Sequence, residues 1–232
     1  MIFRRRSASA PSAADSSVAA SPDDPGSPTE VIDPATDDEW AALDASRDWR
    51  EDGPFDITEV DLAADDVERI DVGAVIVTPE PGLRIQLVVD QATQQSDTLL
   101  VAGEGFALQL NVLAAPAESG YMAEWRERVV EETTGSGGSV ALAEGPFGTE
   151  LRRLVPVTDQ AGQTSQLPVR DWLVEGPRWL LHVRLTGQAA DDTAGRGPAA
   201  QLEEFCRNLI IRRDETARVP GTPVPLRPPE PK

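Results

Sequence analysis

Residues 69–114 decide the fold class, because they hold four apolar runs separated by turn residues: RIDVGAVIV (69–77), LRIQLVV (83–89), DTLLVA (97–102) and FALQLNVLA (106–114). In the second run Leu83, Ile85 and Leu87 alternate with polar residues, which is the period of a strand buried on one face. The connections include PEPG (79–82) and GEG (103–105), which are typical of tight turns. Four consecutive strands with short connections predict an antiparallel meander.

The hydrophobic period changes after this stretch. Met122, Trp125 and Val129 recur at helical spacing and predict a helix over residues 119–134 with Ser119 as its N-cap. A second helix is predicted over residues 198–207. Further strands are predicted at residues 140–144, 150–157, 167–174, 179–187 and 209–212. The pattern therefore predicts an α+β fold, a mainly antiparallel β-sheet packed with two helices.

Charge and composition divide the chain into three parts. Of the formal net charge of −19, residues 8–68 carry −16. Residues 1–52 are predicted to be an acidic disordered arm, in which residues 38–50, with Trp40 and Trp49, favour a transient helix over the alternative of a docked element. Residues 53–214 are predicted to be a single α+β domain. The proline-rich tail, residues 215–232, is predicted to be extended or disordered.

The same composition argues against several classes of protein. A strongly acidic chain lacks the concentrated positive field that nucleic acids and anionic lipids require, so we expect neither a nucleic-acid nor a membrane partner. A single cysteine, Cys206, excludes an intramolecular disulfide. The sequence shows no apolar run long enough for a membrane span and no secretion signal, which predicts a cytoplasmic protein.

No motif predicts catalysis, and we expect neither a cofactor nor a metal. The only lysine is Lys232, so a phosphate-binding P-loop is excluded. His182 is the only histidine and lies in a predicted strand, where a structural role is favoured over catalysis. Cys206 lies on the inner face of a predicted helix, where thiols are usually inert.

Two Gly-Pro motifs give the only interaction candidates. They are GPFGTE (145–150), which runs into Leu-Arg-Arg, and GPRW (176–179), and each places an aromatic residue at the start of a strand. The candidates are Phe147, Arg152, Arg178 and Trp179, since tryptophan and arginine are enriched at binding hot spots. The favoured interpretation is that these motifs only shape turns and close one end of the core, and a recognition surface is the alternative. We expect Trp179 to be mainly structural and Arg178 to be the more informative position.

In these motifs the chain resembles DUF3710, a family of uncharacterised actinobacterial proteins. The matching stretches span about residues 53–227 and include GPFD (53–56), RIDVG (69–73), LAAP (113–116), GPFGTEL (145–151), PVTD (156–159) and GPRW (176–179). The resemblance implies a bacterial cytoplasmic protein without an assigned activity. Family members tend to have arginine where His182 stands, which implies that His182 is not catalytic. The order of elements is also similar to the Mog1/PsbP-like fold, whose members are mostly non-enzymatic accessory or binding proteins.

Together these observations favour a non-catalytic cytoplasmic domain that binds a partner protein. The alternative is a small-molecule or acyl-ligand binding protein with a pocket between sheet and helix. An enzyme of unknown class is the third hypothesis, and a cleft that gathers His182 with a carboxylate would favour it.

Overall fold

The computed structural model describes residues 37–118 and 120–229. The predicted N-cap Ser119, most of the predicted arm (residues 1–36) and the last three residues lie outside this part. The helices are α1 (Asp37–Asp44), α2 (Tyr121–Gly135), α3 (Gln188–Asp191) and α4 (Pro198–Arg207). The strands are β1 (Phe55–Asp56), β2 (Ile70–Asp71), β3 (Val75–Val77), β4 (Arg84–Val89), β5 (Ser96–Ala102), β6 (Phe106–Ala114), β7 (Ser139–Gly145), β8 (Gly148–Thr158), β9 (Thr164–Gly176), β10 (Trp179–Gly187) and β11 (Ile210–Ile211).

A seven-stranded antiparallel sheet forms the centre of the molecule, with the order β4-β5-β6-β10-β9-β8-β7. Strand β10 lies in its middle and pairs along its whole length with β6, from Trp179 opposite Ala114 to Gly187 opposite Phe106. Its other neighbour is β9, with Trp179 opposite Gly176. This arrangement confirms the predicted α+β class. None of the helices in the described ranges has the length and apolar character that a membrane crossing requires.

The first predicted strand does not join this sheet. It is broken at Gly73, which has a φ of +91° and whose amide donates to the Asp71 carboxylate at 2.8 Å. The two halves, β2 and β3, instead belong to a four-stranded sheet with the order β1-β11-β3-β2. The predicted four-stranded meander is therefore wrong in this respect: of its four strands, only the last three, β4, β5 and β6, lie side by side in the large sheet.

Both faces of the large sheet bury apolar side chains. One face packs against the small sheet and α4, and its core includes Leu99, Leu110, Trp172, Trp179 and Leu202. The other face is covered by α2, with a smaller cluster that includes Leu113, Leu151, Leu173, Leu180, Tyr121 and Val129. Because both faces are covered, residues 169–174 of β9 and 179–183 of β10 are all buried, instead of alternating between buried and exposed positions.

The C-terminal segment packs along the ends of the strands, although it was predicted to be a separate tail. Gly221 donates to the Ala114 carbonyl at 2.8 Å, and Leu226 donates to the Ser96 carbonyl at 2.6 Å. Val224 and Leu226 are 2% and 6% exposed, whereas the prolines beside them are exposed. Alternation of aliphatic residues with proline lets the chain bury one side while the residues without an N–H face outward.

The structure also differs from the predicted arm over residues 37–52. Helix α1 lies against β8, and Asp44 forms an ion pair of 2.8 Å with Arg126 of α2. Downstream, Arg50 forms an ion pair of 2.6 Å with Glu59. These polar contacts hold a segment whose own apolar content is too low to make it dock without them.

Candidate interaction site

The turn between β9 and β10 consists of Pro177 and Arg178. Proline fixes φ near −65°, which suits the first position of a type II turn, and the second position then needs a positive φ. Arg178 has a φ of +63°. The left-handed region, where φ is positive, costs a residue with a Cβ about 1–2 kcal/mol of conformational energy, and glycine avoids this cost. The Arg178 side chain is exposed, and its carbonyl accepts a hydrogen bond of 3.0 Å from the Ala115 amide.

Trp179 lies directly beneath this turn and is completely buried. Its indole Nε1 donates to Oδ2 of Asp56 at 2.8 Å. The ring passes so close to Gly176 that a Cβ built there would lie 2.1 Å from a ring carbon. The glycine at the end of β9 is therefore required by the ring, and the expectation that Trp179 is structural agrees with this geometry.

Phe147 occupies the neighbouring turn, between β7 and β8, and is 3% exposed. Its ring contacts Trp172 edge-on at 5.6 Å between centroids. The guanidinium carbon of Arg207 lies 5.0 Å from the Phe147 ring centroid, and Arg207 Nη2 donates to the Pro146 carbonyl at 3.2 Å. Phe147 thus closes one end of the core and presents no surface to a partner.

Arg152 follows on β8 and belongs to a buried charge cluster centred on Glu150. Glu150 is 1% exposed and accepts hydrogen bonds from Arg152 Nε at 2.6 Å, Arg170 Nη2 at 2.7 Å and Trp172 Nε1 at 2.8 Å. The Arg152 side chain is 37% exposed. Its charge is already compensated by a buried carboxylate, so it is a weaker contact candidate than an unpaired arginine.

The four candidates share one end of the large sheet but do not form one exposed patch. The β7–β8 and β9–β10 turns lie at the same end, because β8 and β9 are antiparallel neighbours with Leu151 opposite Asp171. Phe147 and Trp179 belong to the same apolar core. Phe147 and Trp179 are buried and therefore cannot belong to an exposed contact patch. Arg178 is the candidate that reaches solvent without a charge partner among the described residues.

The sequence reasoning missed a second buried charge cluster, on the face covered by α2. Asp171 of β9 is fully buried and contacts His182 Nε2 at 2.6 Å, Arg153 Nε at 2.5 Å and Arg184 Nε at 3.4 Å. Burial raises the pKa of Asp171, but the hydrogen bond with His182 and the surrounding positive charges outweigh it and lower the pKa to about 2. The sequence did contain a signal for this cluster. His182 and Arg184 lie two residues apart in the predicted strand 179–187, so they share one face of it, and Asp171 lies in the preceding predicted strand.

This cluster does not have the parts of a hydrolytic triad. Among the described residues, no serine, threonine or cysteine forms a hydrogen bond with His182. The Trp125 ring of α2 lies edge-on to the imidazole, with 6.0 Å between centroids, and the His182 side chain is only 9% exposed. Cys206, the only cysteine of the chain, is completely buried, and burial raises the pKa of its thiol. Neither residue offers an accessible nucleophile.

A cleft of about 280 Å³ lies elsewhere, between the C-terminal segment and the small sheet. It is lined by Gly73, Ala74, Arg212, Asp214 and residues 224–227. Arg212 is already paired with Asp71 at 2.6 Å. The cleft is at the small end of the range for ligand sites, and it does not lie between the large sheet and a helix, where the ligand-binding alternative expected a pocket.

Comparison with known proteins gives one family and distant structural neighbours. No match is found among curated proteins. A crystal structure from Bacteroides thetaiotaomicron VPI-5482 is similar with a TM-score of 0.38 and 9% identity, over 66% of this chain and 51% of that one, so this chain spans about half of its length. The solution structure of cyanobacterial PsbP (CyanoP) from Synechocystis sp. PCC 6803 is similar with a TM-score of 0.37 and 7% identity, over 66% of this chain and 97% of that one.

The sequence resemblance stated above is confirmed at the level of the family. The family model described as "Protein of unknown function (DUF3710)" matches residues 53–232. The matched region includes the C-terminal segment that packs against β5 and β6. The chain therefore belongs to the DUF3710 family.

Proposed function

We propose that this chain is a non-catalytic protein-interaction domain and that it binds a partner protein through the β9–β10 turn, with Arg178 as the principal contact. The observation that carries the proposal is the positive φ of Arg178, +63°, in a residue whose side chain is exposed. Backbone strain at a non-glycine residue is a recurrent feature of functional positions.

The fold supplies no reason for an arginine at this position. The hydrogen bond at this position runs from the Ala115 amide to the Arg178 carbonyl. A glycine carbonyl would accept this hydrogen bond equally well. Among the described residues, no hydrogen bond or ion pair engages the Arg178 guanidinium. A long, charged side chain on a strained backbone at a solvent-exposed turn is explained if the side chain meets a carboxylate or carbonyl of a partner.

The base of the turn is rigid, which favours recognition. Trp179 is anchored to Asp56 and packed on Gly176, so the strand that follows Arg178 cannot shift independently. A contact residue on a fixed base loses less conformational entropy on binding than one on a mobile loop. The proposal includes a cytoplasmic location, which is consistent with the unpaired thiol of Cys206.

The two other hypotheses have less support. Ligand binding could use the cleft beside Gly73 and Arg212, where the described residues leave room of about 280 Å³. Catalysis would have to use His182 and Asp171, which are in contact but are covered by α2. The ligand-binding hypothesis expected a pocket between sheet and helix, and the catalytic hypothesis expected an open cleft around His182. Neither the cleft nor the His182–Asp171 pair has that geometry.

The test compares partner capture by the full-length chain and by Arg178→Ala. Tagged protein is incubated with extract of the source organism, and the captured proteins are quantified by mass spectrometry. A partner that depends on the turn is lost with Arg178→Ala and retained with Arg196→Ala, which removes another exposed arginine from the loop before α4. The proposal fails if every protein captured by the wild type is retained by Arg178→Ala.

A further inference from the structure

Asp44 is bound as a ligand by the domain that follows it. Its Oδ2 accepts a hydrogen bond of 2.8 Å from Arg126 Nη1, and its Oδ1 accepts one of 2.8 Å from the Thr149 amide. The Thr149 hydroxyl also reaches the Trp40 carbonyl, at 3.4 Å. The two oxygens of one carboxylate are thus held by a guanidinium from α2 and by the backbone at the start of β8.

The residues that hold this carboxylate are parts of the core. Arg126 is 7% exposed and Thr149 is 2% exposed. Gly148 has a φ of +98°, and a Cβ built there would lie 2.7 Å from Asp44 Oδ1 and 3.6 Å from Cδ1 of Trp49. The glycine therefore leaves the space that the carboxylate fills, and Arg126 has no other hydrogen-bond partner among the described residues.

The segment that supplies Asp44 is, in contrast, held by polar contacts and by partly buried side chains. It precedes the family region, which begins at residue 53. Helix α1 has only eight residues, too few to be stable alone in water. Trp40, Leu43, Asp44 and Trp49 are half-buried, and none of the residues described between 39 and 52 is fully buried. The groups that bind Asp44 are thus part of the core, whereas the segment that contains Asp44 has no fully buried apolar residue.

We infer that Arg126, Gly148 and Thr149 form a binding site for the carboxylate of an acidic helical peptide, and that residues 37–50 are its exchangeable internal ligand. The ligand class follows from the occupant: a short helix with a tryptophan four residues before the aspartate and a second tryptophan five residues after it, as in DDEWAALDASRDWR. When the internal segment leaves, Arg126 loses the hydrogen-bond partner that it has among the described residues, and another carboxylate can restore the same charge-assisted hydrogen bond.

This site is distinct from the Arg178 turn, and the inference does not depend on it. The experiment uses the full-length chain and a fluorescein-labelled peptide of residues 37–50. In the wild type the internal segment competes at a millimolar effective concentration, so the peptide binds poorly. In the Asp44→Asn chain the internal ligand is weakened, and we expect the peptide to bind at least about ten-fold more tightly by fluorescence anisotropy.

Two changes in the peptide test carboxylate recognition without altering the fold of the protein. The peptide with Asp44→Asn should bind the Asp44→Asn chain at least about ten-fold more weakly. The matched peptide with Glu39→Gln, which loses an exposed carboxylate of the same helix, should bind as the parent does. Arg126→Met added to the Asp44→Asn chain should abolish binding, with circular dichroism to verify the fold.

Four results would overturn the inference. Three of them are equal affinity of the peptide for the wild type and the Asp44→Asn chain, no binding to the Asp44→Asn chain, and unchanged affinity when the peptide carries Asp44→Asn. A complex containing two chains and no peptide would overturn it as well, because the site would then exchange this segment only between copies. Arg178→Ala should leave peptide binding unchanged, which separates this result from the proposed function.

Discussion

The Asp56 carboxylate joins the start of the domain to the middle of the large sheet through its hydrogen bond of 2.8 Å from Trp179 Nε1. The other carboxylate oxygen caps a short 3-10 turn by accepting from the Thr58 amide at 2.9 Å. Burial raises the pKa of Asp56, but the hydrogen bonds from Thr58 and Trp179 outweigh it, so the pKa is lowered. One side chain therefore fixes both the entry to the domain and the base of the Arg178 turn.

Removing the ring of Trp179 should be one of the most destabilising single changes in the protein. Trp179→Ala should lower the free energy of unfolding by roughly 3–5 kcal/mol, because it leaves a cavity at a fully buried position. Trp179→Phe should cost about 1–3 kcal/mol, since it keeps an aromatic ring but leaves the Asp56 oxygen unpaired. Urea unfolding measures both. A cost below about 0.5 kcal/mol for Trp179→Ala would show that the ring is not part of the core.

The Asp171 cluster should make stability depend on pH in the acid range. Asp171 has a pKa lowered from 3.8 to about 2, so its ionised form stabilises the fold above pH 4 and this contribution is lost as the pH falls from about 4 to about 2. A shift of this size corresponds to about 2 kcal/mol. Asp171→Asn should be less stable at pH 7, and its stability should change less over this pH window. Parallel pH profiles of the two proteins in urea unfolding would contradict the role of Asp171.

Local patterns in the sequence were sufficient to predict most of the large sheet and both long helices. The runs 106–114 and 179–187 coincide with β6 and β10, and the second predicted helix coincides with α4. The break at Gly73 was not predictable from alternation, because it depends on a backbone turn that Asp71 stabilises from within the strand. The high proline content of residues 219–227 also misleads, because Val224 and Leu226 are buried between the prolines and the backbone is hydrogen-bonded to the sheet.

The candidate site was only partly predictable for the same reason. The motif GPRW indicates a turn followed by a buried ring, and this much follows from local chemistry. The burial of Phe147 depends on α4 and on Trp172, which are distant in the sequence. The docking of Asp44 likewise depends on Arg126, 82 positions later, and no local pattern specifies that pair.

The C-terminal segment should contribute to stability. Leu226→Ala should lower the free energy of unfolding by about 2–3 kcal/mol, because Leu226 is 6% exposed and packs on the main core. Val219→Ala is the matched control in the same segment, since Val219 is 74% exposed and its loss should change stability by less than about 0.5 kcal/mol. Equal effects of the two substitutions in chemical unfolding would mean that the segment does not pack as described.

Gly148 should control whether residues 37–52 stay on the domain. Gly148→Ala places a Cβ 2.7 Å from Asp44 Oδ1 and retains a φ of +98°, so it should release the segment. Limited trypsin digestion measures this release, because an undocked segment leaves the backbone at Arg47 and Arg50 free to enter the protease. Gly162→Ala is the control, since it changes a glycine with a positive φ in a turn where a Cβ meets nothing within 4 Å. Unchanged cleavage at Arg47 and Arg50 in Gly148→Ala would contradict the docking geometry.

Arg178→Gly tests most directly whether Arg178 serves binding or the fold, because glycine relieves the positive φ and removes the guanidinium in one change. We expect the variant to be as stable as the wild type or more stable by up to about 1 kcal/mol, and to lose the partner that the wild type and Arg196→Ala capture. The measurement is the binding of that purified partner to the three proteins, with their melting temperatures recorded alongside. Retention of full affinity by Arg178→Gly would contradict the proposed function.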